Sequence, residues 1–112
     1  MNKRFAVPIA DGKLCVHFGH CQSFAIFETE GQRIIRQDFV SPPVHEPGAY
    51  PKFLSDRGVN VIISGGMGQR ALQLFSRNNI EVCMGVNADA PERLVEQYLQ
   101  GGLRTGSNLC DH

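Results

Sequence analysis

Val59-Asn60-Val61-Ile62-Ile63-Ser64-Gly65-Gly66-Met67-Gly68-Gln69-Arg70-Ala71 is the stretch from which the fold of this 112-residue chain can be read. Val59 to Ile63 is a nearly continuous apolar run, the pattern of a parallel strand buried on both faces. Gly65 to Gly68 then turns the chain into a helix whose Ala71, Leu72, Leu74 and Phe75 share one face. Asn78-Asn79 ends that helix, and Ile80 to Val86 reads as a second buried strand. Pro91 opens a last helix with Leu94, Val95, Tyr98 and Leu99 turned inward, and Gly101-Gly102 releases the chain into a tail over 101–112.

Upstream, the pattern changes. Phe5 to Ala10 predicts a first strand, turned by Asp11-Gly12. Pro8 cannot donate to a ladder, which predicts an edge-facing or irregular position for it. Phe24 to Phe27 and Arg33 to Val40 predict a hairpin about Glu30-Gly31-Gln32, half-exposed because Ile34 and Ile35 lie beside charged Arg33, Arg36 and Asp38. The proline-rich loop from Ser41 to Gly48 precedes a helix that begins near Ala49 and ends at Gly58. The order β-β-β-α-β-α-β-α implies an α/β domain, a mixed five-stranded sheet with helices on its faces. At this length a single domain over residues 1–112 is expected.

Eleven basic and eleven acidic residues cancel. This disfavours nucleic acid as a partner, and no run is apolar and long enough to span a membrane. The short basic start does not make a signal peptide, so a cytoplasmic protein is expected. In a reducing compartment its four cysteines suggest metal or redox chemistry rather than disulfides.

The rare residues are concentrated. Cys15, His17, His20 and Cys21 fall within seven positions around Gly19, and Cys110 and His112 close the chain about Asp111. Thiolates and imidazoles are ligands for zinc, copper, iron and iron-sulfur centres, so these six residues are candidate metal ligands. His45, alone in the proline-rich loop, is a weaker candidate. Surface histidines and one packed thiol would be the plainer account of the first loop, and an unstructured end that of the tail. Gly65, Gly66, Met67, Gly68 and Arg70 form a second candidate site. Backbone N–H groups at a helix start receive anions, although neither a P-loop nor a dinucleotide fingerprint is present. Cys83, between Val82 and Met84, reads as a small packed hydrophobe.

Almost the whole chain resembles the dinitrogenase iron-molybdenum cofactor biosynthesis family, which also takes in the orange protein with its molybdenum-copper-sulfide cluster. The resemblance rests on the early strand, His17-Phe18-Gly19, Phe24, Pro47-Gly48 and Gly65 to Ala71. His20, Cys21, Cys110 and His112 match the subfamily with a His-Phe-Gly-His-Cys loop and a terminal Cys-x-His, whereas Cys15 is outside the pattern. The resemblance implies a ribonuclease H-like three-layer fold without nuclease activity. It also implies binding, carriage or assembly of an iron-, molybdenum- or copper-containing sulfide cluster (Fe-S, Mo-Fe-S or Mo-Cu-S) or its thiometallate precursor, with donor or acceptor proteins as further partners. A mode that holds the cluster as an anion would use the glycine loop and Arg70 more than the thiols.

Two other readings stand beside this one. An enzyme on the same scaffold would need carboxylates converging on two metals, yet Asp11 is the only acid well placed, and Glu28 and Asp38 have no evident partners. A regulatory or adaptor domain would bind a single zinc or iron ion and a protein partner.

Overall fold

The computed structural model describes residues 2–15, 21–42, 49–103 and 105–106. Its elements are β1 (Asn2–Ala10), β2 (Lys13–Leu14), β3 (Ser23–Glu30), β4 (Arg33–Val40), α1 (Ala49–Asp56), β5 (Val61–Ile63), α2 (Gln69–Arg77), β6 (Glu81–Cys83) and α3 (Pro91–Leu99). The sheet runs β4-β3-β1-β5-β6, with the short β2 pairing back onto β1. β1, β3 and β4 pair antiparallel, while β1, β5 and β6 pair parallel, so the sheet is mixed.

The strand count differs from the expected five because Asp11-Gly12 makes a tighter hairpin than a simple exit from β1. Ala10 pairs with Lys13, and both turn residues have positive φ, 55° at Asp11 and 82° at Gly12. That is the backbone of the two-residue hairpin for which Asp-Gly is preferred. Pro8 is likewise not at an edge, since β1 is the central strand. Its carbonyl accepts from the Cys15 N–H at 2.8 Å, on the β2 side. The N–H and C=O of a strand residue share a side, so the missing donor faces the region beyond the short β5 ladder, which involves Phe5 and Ala6 only. The β3 ladder therefore passes Pro8 undisturbed, pairing it with Phe24.

Strand periodicity divides the core in two. Phe5, Val7, Ile9, Phe27, Val61 and Ile63 pack on one face with Leu94 and Val95 of α3. Ala6, Phe24 and Ile62 pack on the other with Tyr50 and Leu54 of α1 and Phe75 of α2. Helices thus cover both faces. β5 and β6 are three residues each, shorter than the apolar runs that announced them. The flanking Val59, Ile80 and Val86 are buried all the same, because they pack from irregular backbone. In α2 only Phe75 is fully enclosed, with Ala71 and Leu72 half-buried beside the second cluster. No described helix is long and apolar enough to cross a membrane.

Candidate metal-cluster site

Because β1, β5 and β6 are parallel, the loops that leave their carboxyl ends gather at one end of the sheet, where ligands of such sheets usually sit. The first of these loops is pinned at both bases. Cys15 donates its N–H to Pro8 C=O and Gln22 donates to Ile9 C=O, each at 2.8 Å, while the Gln22 side chain accepts from the Asp11 N–H at 3.0 Å. Cys15 and Cys21 therefore both stand close to the tip of the central strand.

Cys21 is half-buried against the cluster that contains Phe24, Tyr50 and Met67. Burial pushes its thiol up to about 11, the nearby Cys15 adds to the rise, and its own backbone and the Tyr50 hydroxyl, which hydrogen-bonds to the sulfur, oppose it. The same burial and the same sulfur raise the Tyr50 hydroxyl. At neutral pH the metal-free Cys21 is thus a protonated thiol, and a metal must displace that proton to bind it. Tyr50 escaped the sequence reading. The available signal was a tyrosine four residues before Leu54 on the inward face of α1, because a buried phenol needs a hydrogen-bond partner.

The glycine loop lies at the exit of β5. Gly65, Gly66 and Met67 are buried, while Gly68 and Arg70 are exposed. Gly85 N–H donates to Gly65 C=O at 2.9 Å and Ser64 N–H to Cys83 C=O at 2.8 Å, tying this loop to the exit of β6. Leu14 N–H in turn donates to Asp89 C=O at 3.0 Å, closing the ring from the β6 loop back to β2. α2 starts at Gly68 without a side-chain cap and without an acid in its first turn, so its positive end is not neutralised by its own side chains.

Gly106 N–H donates to Met84 C=O at 2.9 Å, which brings the segment after α3 to the same end of the sheet. A cleft of about 520 Å³ is lined by β6, by Tyr98 of α3 and by that segment. Two of its residues are hydrogen-bonded: Lys3 Nζ donates to the Tyr98 hydroxyl at 3.3 Å, and the hydroxyl donates to Glu81 Oε2 at 2.9 Å. Cys83, 3.6 Å from that carboxylate oxygen, belongs to the α3-side core, on the opposite face from Cys21.

Of the candidate ligands, then, Cys15 and Cys21 come together, and Met67 shares a core cluster with Cys21. His17, His20, His45, Cys110 and His112 lie outside the described residues. Among the described residues no three Cys, His, Asp or Glu side chains gather as a metal-ion site.

Residues 1–101 match the model of the dinitrogenase iron-molybdenum cofactor family. The chain belongs to that family. It is 28% identical over 105 residues to the uncharacterized protein MJ0580 of Methanocaldococcus jannaschii, covering 89% of this chain and 88% of that one. The crystal structure of PH0822 superposes with a TM-score of 0.87 at 26% identity, covering 97% of this chain and 99% of the other. The apo form of the orange protein from Desulfovibrio gigas superposes with a TM-score of 0.77 at 21% identity, covering 95% and 94%. Membership in this family points to a role in binding or carrying iron-molybdenum-cofactor-related groups.

Proposed function

We propose that this ribonuclease H-like domain binds a metal-sulfide cluster or its thiometallate precursor and hands it on without catalysing a reaction. One observation carries the reading: the Cys15 and Cys21 thiols at the tip of β1 stand near a glycine loop that opens an uncapped helix, Met67 of that loop sharing a core cluster with Cys21. The first offers soft donors and the second offers N–H groups, the two demands of a sulfide-bearing polyanion. In this reading Cys21, His17 and His20 ligate, joined by Cys110 and His112 from the segment that follows Gly106. Cys15 and His45 assist, and Gly65 to Gly68 with Arg70 receive sulfide or oxo groups. Cargo of this kind is iron-sulfur, molybdenum-iron-sulfur or molybdenum-copper-sulfur.

Anaerobic titration of the metal-free protein with tetrathiomolybdate plus copper tests this directly. A stoichiometric charge-transfer spectrum is expected from wild type, and a strongly reduced one from Cys21→Ser. A colourless protein that takes up one zinc ion and no thiometallate would replace the cluster reading with that of a single-metal adaptor.

A further inference from the structure

The two edges of the sheet are finished differently. At β6 the segment after α3 lies alongside, with Gly106 bonded to Met84. At the other edge β4 is exposed at most of its positions. Among the described residues the exposed large hydrophobics are Ile35 and Phe39, at 50% and 59%, and both belong to this strand. An open strand edge presents unpaired N–H and C=O groups and is a template for pairing with another chain.

We propose that β4 pairs with β4 of a second copy, antiparallel and centred on Gln37, to form a homodimer with one continuous sheet. The side-chain pattern selects both the partner and the register. With Gln37 opposite Gln37, each Arg36 faces Asp38 of the other copy, and each Phe39 lies across from the bulge at Ile35. Residues directly opposite across antiparallel strands stand side by side, so opposite charges there stabilise and like charges destabilise. Arg36 and Asp38 already form an exposed pair within the strand, with Nε and Oδ2 3.0 Å apart. The second copy completes an alternating ring of four charges. A slide of two residues in either direction would set Arg36 against Arg36 or Asp38 against Asp38, so competing registers are disfavoured.

The bulge where the register with β3 shifts between Glu28 and Thr29 leaves Ile35 as the extra residue of β4. It confines regular pairing to a short stretch, and the interface is small. A weak, concentration-dependent dimer follows. β4 runs parallel to β1, since each is antiparallel to β3. The two-fold pairing therefore points the cluster-binding ends of the two copies in opposite directions, leaving each open to its own donor or acceptor.

Charge reversal tests the register. In sedimentation equilibrium up to about 1 mM protein, where a weak interface is populated, wild type is expected to form a dimer. Arg36→Asp and Asp38→Arg should each weaken association by about tenfold or more, because like charges then face each other. Both substitutions sit at exposed positions, and unchanged circular dichroism verifies that the variants fold. An equimolar mixture of the two variants should dimerise again, since each now carries the complement of the other. Wild type that stays monomeric overturns the proposal. So does a dimer indifferent to both substitutions, or a mixture of folded variants that does not associate.

Discussion

At the scale of single residues the three described cysteines separate by environment. Cys21 sits at the tip of the central strand under the Tyr50 hydroxyl, with Cys15 near it. Cys83 is enclosed in the α3-side core. Cys21→Ser should therefore abolish most thiometallate uptake with little loss of stability, read by titration and urea unfolding side by side. Cys83→Ala should leave uptake intact and cost about 1–2 kcal/mol in the same unfolding experiment, the range for truncating one buried side-chain atom without full collapse. Cys83 also has a pH signature. Burial first and Glu81 second push its thiol from an ordinary 9.0 up to about 12. The folded state thus holds this proton more tightly than the unfolded chain. Its stabilising contribution is whole below about pH 9.0 and is lost as the pH rises toward about 12. Unfolding midpoints across that window should fall less steeply in Cys83→Ala than in wild type. The residual slope comes from Tyr98, Cys21 and Tyr50, all raised in the same direction.

At the scale of elements, Gly85 and Gly68 stand at opposite extremes of what the backbone needs. Gly85 has φ +72°, and a Cβ built there would collide with the backbone of Gly106. Gly85→Ala should therefore strain the turn and push the segment after α3 off β6, costing on the order of 1–3 kcal/mol. Faster exchange of the Gly106 amide would register the detachment. Gly68 is the opposite case. Its φ of −68° suits any residue, and a Cβ there meets nothing within 4 Å. As the N-cap of α2 it could be serine, which caps better than glycine by only a few tenths of a kcal/mol. Gly68→Ser should leave stability unchanged or slightly higher while lowering thiometallate uptake, because a side chain then stands in the anion-receiving loop of the proposed site. Equal uptake by both proteins would reduce the loop to a structural turn.

At the scale of the whole molecule, the sheet is a wall between two cores, and its aromatics are enclosed in them. Phe5, Phe24 and Phe27 have no exposed surface. Phe27→Ala should cost about 3–5 kcal/mol, the usual range for such a truncation. Against a total of about 5–15 kcal/mol for a domain of this size, that leaves a marginal protein. Denaturant titration would give the loss, and thiometallate uptake would fall in parallel, because all three loops hang from strands that share this wall.

What could be read without coordinates was whatever local chemistry dictates. Val61 to Ile63 are apolar at successive positions, which predicts burial on both sides and so an interior place in the sheet. Asp11-Gly12 and Pro91 carry their own backbone preferences. The cysteines and histidines of the first loop declare a donor set by composition alone. Other features depend on neighbours remote in sequence. Pro8 is tolerated in the central strand only because β5 ends before it and β2 folds back beside it. Tyr50 and Cys21 are 29 positions apart in the chain, and no local pattern links a helix tyrosine to a loop thiol. Strand periodicity assigns a side chain to one of two faces. Only the parallel pairing of β1, β5 and β6 decides which loops meet at one end, because that pairing rests on hydrogen bonds between segments far apart in sequence.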